Sequence, residues 1–303
     1  TVTATITDGA GNTSAPSAPT TITIDTLAPN APAAPLVAEN ANGGINAAEA
    51  ADGTVVEVSL AGTNAVAGDK VNVTIDGTTT TYTLLATDIT AGKAMVAVPK
   101  SVLDAAGEGA ATVTATITDI AGNTSTPSPA TAINIDTVAP NAPATAPVVA
   151  ENAGGGINAA EAADGTVVEV SLTGTNAVAG DIVNVIVDGV STPYTLLPTD
   201  ITAGKALVTV PAAVLTTAGE GAASVTATIT DIAGNTGTAS PAAAITIDTV
   251  APNAPLTAPV VAENAGGGIN AAEAADGTVV EVSLVGTNAV VGDKVNVTID
   301  GTT

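Results

Sequence analysis

Apolar and polar residues alternate through much of the chain. Thr166-Val167-Val168-Glu169-Val170-Ser171-Leu172, Asp181-Ile182-Val183-Asn184-Val185-Ile186-Val187, Ala206-Leu207-Val208-Thr209-Val210 and Ser224-Val225-Thr226-Ala227-Thr228-Ile229-Thr230 mostly follow a period of two and are rich in β-branched residues, which predicts strands. Asp188-Gly189 lies between two such runs and predicts a tight hairpin turn. Ala243-Ala244-Ile245-Thr246-Ile247 follows Pro241, a residue suited to the beginning of an edge strand. Only Asn158–Ala163 and Pro211–Leu215 read as helical, one or two turns each. About seven short strands in roughly 110 residues predict an all-β sandwich, its core made of Val, Ile, Leu and Ala with Tyr194 as the one large filler.

The pattern repeats. The acid of the phrase TATITD recurs at Asp8, Asp119 and Asp231, and that of IDT at Asp25, Asp136 and Asp248, both with steps of 111 and then 112 residues. Residues 151–189 and 263–301 differ at only five of 39 positions. A period this long exceeds solenoid units, so each repeat is expected to be a domain. Asp136-Thr137-Val138-Ala139-Pro140-Asn141-Ala142-Pro143 marks a boundary, and its prolines make a short, semi-rigid linker. The expected organisation is 1–25 as the last strands of a preceding repeat, 26–136 and 137–248 as whole repeats, and 249–303 as the beginning of another. The end pieces together lack only the equivalent of residues 80–111, so the expectation is that either the chain continues beyond this window or neighbouring copies complete the end sandwiches.

Composition narrows the chemistry. The 303 residues include no cysteine, histidine, phenylalanine or tryptophan, and the only aromatics are Tyr82 and Tyr194. The usual general bases, thiol nucleophiles and transition-metal ligands are therefore missing, as are stacking platforms for sugars or bases. A formal charge of −24 repels nucleic acid and anionic lipid, and favours a cation as partner. No apolar run approaches a bilayer span and no secretory leader opens the sequence, so no direct membrane insertion is expected within this window.

The strand TVTATITD, the turn Ile120-Ala121-Gly122-Asn123, a last strand ending in IDT and the linker Ala139-Pro140 together resemble the bacterial immunoglobulin-like repeats of giant surface adhesins. The resemblance covers the whole window. It implies immunoglobulin-like domains stacked in an elongated extender on the bacterial cell surface, exported by type I secretion, often with RTX repeats, and stiffened by Ca2+ at the junctions. The glycine-rich nonapeptides of RTX regions do not occur here.

In an immunoglobulin-like strand order the turns Asn176–Asp181, Asp200–Lys205 and Asp231–Asn235 share the pole facing the preceding domain, and Asp164, the Asp188 turn, Glu220 and Asp248 share the other. Candidate calcium ligands at the junction between the whole repeats are Asp136, Asp52 and Glu108 from the first and Asp181, Asp231 and Asn235 from the second; Asp119, Asn123 and Asp248 hold equivalent places at the flanking junctions. Carboxylates, amides and the carbonyls of a glycine-bearing turn supply the oxygens that calcium requires. The same residues are ordinary turn formers, and for any single one both readings stand. A second candidate is the loop Ala38–Glu49, which has Asn40, Asn42, Gly43 and Glu49 at EF-hand positions three, five, six and twelve, but Ala38 where an acid belongs.

Alternating threonines at 112–118 read as a solvent-facing strand, since one such strand per repeat makes no wide ice-binding array. Lys93 and Lys205 each follow a glycine in an apparent loop, a poor setting for an isopeptide cross-link. The leading expectation is a non-enzymatic extender, rigidified by calcium, that contacts neighbouring repeats and projects a distal adhesive domain of unknown ligand. The alternative is a module whose repeats themselves bind a receptor, polysaccharide or biofilm matrix.

Overall fold

The computed structural model describes residues 1–300. Its first sandwich contains β1 (Leu36–Val37), α1 (Ala47–Asp52), β2 (Thr54–Ser59), β3 (Lys70–Ile75), β4 (Thr78–Thr83), α2 (Ala86–Ala91), β5 (Lys93–Val98), α3 (Lys100–Ala106), β6 (Gly109–Thr118) and β7 (Thr131–Ile135). A three-stranded sheet of order β1-β2-β5 faces a four-stranded sheet of order β4-β3-β6-β7, all antiparallel, the seven-stranded all-β arrangement expected of an immunoglobulin-like sandwich. Alternation places Val56 and Val58 of β2, Val71 and Val73 of β3 and Val113 and Ile117 of β6 at 0% exposure, where their apolar area is removed from water.

A residue outside the seven strands closes the core. Ile45, fully buried, forms a parallel bridge with Ile135 at the free edge of β7. The chain thus leaves the first sheet after β1 and reaches the edge of the second through Gly43 and Gly44. At Gly44 (φ 143°) a Cβ would stand 2.8 Å from Nδ2 of Asn134, so a larger residue would hold the two segments apart.

The second sandwich repeats the first with β8 (Val148–Val149), α4 (Ala159–Asp164), β9 (Thr166–Ser171), β10 (Ile182–Val187), β11 (Val190–Thr195), α5 (Pro198–Ala203), β12 (Lys205–Val210), α6 (Ala212–Ala218), β13 (Gly221–Thr230) and β14 (Ala243–Ile247). Its sheets have orders β12-β9-β8 and β11-β10-β13-β14, and Ile157 bridges Ile247 as Ile45 does Ile135. The apolar cores, Val37 to Ile135 and Val149 to Ile247, are separate clusters. Before them, residues 1–25 are exposed and joined only by the bridges Val2↔Thr20 and Thr7↔Thr13 among strand pairings. After them come β15 (Val260–Val261), α7 (Ala271–Asp276) and β16 (Val280–Glu281). The apolar residues of this last part, Leu284 and Val295 among them, line a cavity of about 450 Å³. Residues 301–303, the end of the fourth expected stretch, lie outside the described residues.

Three details differ from the sequence reading. The segment after β11 is the helix α5 where a turn was expected: Asp200 accepts the Leu197 amide at 2.8 Å, Pro198 suits the first turn, and Gly204 ends it with φ 68°. Six residues are too few to display a helical period. Tyr194 is not an interior filler; it packs against the core from the edge strand β11, half-buried, and its hydroxyl donates to Asp200 at 2.9 Å. The threonine face of the first sandwich is wider than one strand, since β3 and β4 join β6. Its polar groups pair across strands, Thr74 with Thr79 at 2.8 Å and Thr81 with Asn72 at 2.9 Å, as on an ordinary sheet surface.

Candidate metal centre

The junction between the two sandwiches is organised by one turn. Residues Asp231–Asn235 fold so that the Asp231 carboxylate accepts the Asn235 backbone amide at 2.8 Å and its side-chain amide at 2.9 Å, with Gly234 at φ 99°. The Asn235 side-chain amide also donates to the Asp136 carbonyl at 2.7 Å. Asp136 itself follows β7, its amide donating to the carbonyl of Ile45 at 3.0 Å. The last residue before the linker is thereby brought against the turn that ends β13.

Asp181 enters from the loop before β10 and is 2% exposed. One carboxylate oxygen accepts the Val178 amide at 2.9 Å. The other, Oδ1, is buried without a hydrogen-bond partner. Burial raises the Asp181 pKa, the Val178 and Ile232 backbone amides lower it, and the charges of Asp231 and Asp136 raise it further; the Ile232 amide acts on the carboxylate without completing a hydrogen bond to Oδ1. The Asp136 pKa is also raised, by burial first and then by Asp231 and Glu108, with the Val138 amide opposing. Asp136, Asp181 and Asp231 line one cavity of about 360 Å³, together with Asn134, Asn176 and the linker residues Val138, Ala139 and Pro140.

The arrangement recurs one repeat earlier. Asp25, Asp69 and Asp119 line a cavity of about 300 Å³, Asn123 donates to the Asp25 carbonyl at 3.2 Å, and Oδ1 of Asp69 is buried and unpartnered as in Asp181. The Asn123 side-chain amide lowers the Asp119 pKa, with the backbone amides of Asn123, Gly122 and Ala121 assisting and desolvation opposing. Three of the five lysines are engaged elsewhere: Lys93 pairs with Glu57 at 2.8 Å, Lys205 with Glu169 at 2.7 Å, and Lys100 with Asp104.

The other candidates are placed differently. Asp52 is exposed at the last position of α1, away from the residues that line the junction cavity. Glu108 reaches the linker, accepting the Thr137 amide at 2.9 Å and the Thr137 hydroxyl. Asp248 occupies the place of Asp136 at the following junction, its amide donating to Ile157 at 3.0 Å. The Ala38–Glu49 loop does not gather its side chains around one centre. Asn40 accepts the Asn134 amide at 2.7 Å, while Glu49 accepts the Asn46 amide at 2.9 Å in a capping box at the start of α1. Among the described residues no group of three or more Asp or Glu side chains is close enough to hold an ion on carboxylates alone. Any ion here would also draw on amide and backbone carbonyl oxygens.

One joint element is absent from the sequence reading. The linker asparagines Asn30, Asn141 and Asn253 each donate a backbone amide to Thr63, Thr175 and Thr287, at 2.9, 2.9 and 2.8 Å, and a side-chain amide to Gly62, Gly174 and Gly286. The linker is therefore stapled to the sandwich that follows it. Its recurrence within APNAP was the available signal.

No protein-family model and no curated protein matches the sequence. Solved structures similar to the chain include a bacterial immunoglobulin-like domain and regions of ice-binding adhesins. One, from work on host cell surface retention of a 1.5-MDa bacterial ice-binding adhesin, is 26% identical, over 81% of this chain and 72% of that one, with a TM-score of 0.38. A Ca2+-stabilized adhesin that helps an Antarctic bacterium reach out and bind ice is 28% identical over 82% of this chain, which spans 56% of that one, with a TM-score of 0.40. A bacterial immunoglobulin-like domain from the M. primoryensis ice-binding adhesin is 27% identical over 36% of this chain and 100% of its own length, at a TM-score of 0.25. The sandwich assignment stands on sheet order and register.

Proposed function

We propose that the chain is an extender of a bacterial cell-surface adhesin, in which calcium at the junctions turns a string of sandwiches into a stiff rod. The repeat units of this reading are 1–25, 26–136, 137–248 and 249–303. The observation that carries it is the buried, unpartnered Oδ1 of Asp181 in a cavity shared with Asp136 and Asp231. An orphaned carboxylate oxygen among like charges is costly in the apo protein, and a hard cation supplies what it lacks. Asp136, Asp181 and Asp231 do not stand close enough to hold an ion by themselves, so calcium would draw them together and take further oxygens from Asn176 and turn carbonyls, and it would do the same with Asp25, Asp69 and Asp119 one joint earlier. Bound there, calcium neutralises the acids and joins two domains through their side chains. The sequence resemblance to adhesin extender repeats agrees with this role, and so does the uniformity of the copies, since a spacer requires number rather than one distinctive surface.

The test is the full chain in saturating calcium and in chelator. Calcium at a hundred times its Kd is expected to add about 2.7 kcal/mol to the stability of the state that binds it, and small-angle scattering is expected to show a longer, less variable particle. Identical scattering and melting in the two conditions would refute calcium stiffening.

A further inference from the structure

The Asp231–Asn235 turn is also gripped from the other domain. The Asn46 side-chain amide of the first sandwich donates to the Ala233 carbonyl at 3.1 Å, and the Ala47 backbone amide donates to the Asn235 side-chain oxygen at 2.8 Å. The first sandwich thus supplies both donors and the turn both acceptors. Gly43 completes the fit. At φ 95° its backbone passes so near the turn that a Cβ would stand 2.7 Å from both Cγ2 and the carbonyl oxygen of Ile232. At the counterparts Gly155 and Gly267 a Cβ would meet open space.

Asn46 is aimed by its own helix. Its side-chain oxygen accepts the Ala48 and Glu49 amides at 2.9 and 3.0 Å, which leaves the amide end to face the turn. Asn158 and Asn270 form the same cap in the later copies, and each is preceded by the same glycine pair and isoleucine. Every copy of this segment therefore carries the parts of the contact, whether or not a turn stands opposite.

We infer that Gly43, Asn46 and Ala47 form a socket for the Asp-Ile-Ala-Gly-Asn turn of the next repeat, and that this socket sets the direction of the joint without any cation. The contact joins neutral amides and carbonyls, so neither chelator nor moderate pH removes it. Its use in stiffening a rod rests on the extender reading; the contact itself does not. A linker alone allows the domains to swing, whereas a second point of attachment limits them to a narrow range.

The chain has no cysteine, so Ser101→Cys and Ala213→Cys, at equivalent exposed helix positions of the two sandwiches, give one pair of spin labels. Distance distributions are compared in chelator and in calcium. Asn46→Ser keeps a capping oxygen and removes the amide donor; Asn158→Ser makes the same change in a cap with no turn opposite. In chelator, Asn46→Ser is expected to widen the distribution by about twofold while Asn158→Ser leaves it as in the parent. A distribution as narrow in Asn46→Ser as in the parent, or equal widening by both variants, would overturn the socket. Calcium that narrows none of the distributions would count against the metal centre alone.

Discussion

Asp136 and Ile45 are bound through the backbone, the Asp136 amide donating to the Ile45 carbonyl at 3.0 Å, so the acid that opens the linker hangs on a fully buried residue that closes the core at its β7 edge. The domain junction and the core meet in that one bond. Ile45→Ala is expected to destabilise the first sandwich by about 2–5 kcal/mol through lost burial and a residual cavity. Urea unfolding measures the loss, and a calcium titration of the same variant is expected to show weaker binding because Asp136 is no longer held.

The metal-free junction is expected to weaken as pH rises. Burial raises the folded-state pKa of both Asp136 and Asp181 above the ordinary 3.8. Between that value and the raised ones the folded state binds more protons than the unfolded, so stability falls with increasing pH across this window. Asp8, Asp76, Asp119 and Glu220, with lowered pKa values, act in the opposite sense and below their ordinary range, as their hydrogen-bonded carboxylates become protonated. Thermal unfolding of the parent and of Asp181→Asn in chelator, compared from pH 4 upward, cancels those groups and isolates the junction acid. A parent melting temperature that rises steadily to pH 7 relative to the variant's would contradict the assignment.

Asp181→Asn separates folding from binding. The amide keeps an acceptor for the Val178 N–H and removes a buried charge, so the variant is expected to be more stable than the parent in chelator by ~1 kcal/mol. In calcium the order reverses, because the parent gains a ligand that the variant binds poorly. Paired melting curves in the two buffers decide it.

The stapled linker gives an expectation free of metal. Asn141→Ala deletes the bond to the Gly174 carbonyl but keeps the backbone bond to Thr175. A loss of about 0.5–1.5 kcal/mol is expected, with faster backbone motion at Val138–Pro143 in NMR relaxation and unchanged order within either core.

Most of the sandwich is legible from alternation. Val183, Val185 and Val187 are buried as their period requires, and Asp188-Gly189 forms the anticipated turn with φ of 43° and 88°. Ile45 was not legible, because one buried residue in a glycine-rich loop has no period and is chosen only by the sheet edge it meets. The meeting of Asp136 with the Asp231–Asn235 turn follows from strand direction. The orphaned oxygen of Asp181 does not, since burial at a loop depends on what the neighbouring turn covers. The Asn40 and Glu49 spacing matched a metal loop by residue type alone, while the backbone amides around them claimed both side chains.

Under the proposed extender role, the bridge between Ile45 and β7 also bears on how a domain would carry load. Tension on the array enters a domain near the stapled Asn30 and leaves at Asp136, so it draws the Ile45 segment and β7 lengthwise past each other. Parallel segments pulled in opposite directions are sheared, and their hydrogen bonds, Ile45 to Asn134 at 2.9 Å and Asp136 to Ile45 at 3.0 Å, must fail together instead of unzipping one by one. A contact that closes a core at rest is, in a stretched chain, the clamp that keeps it shut.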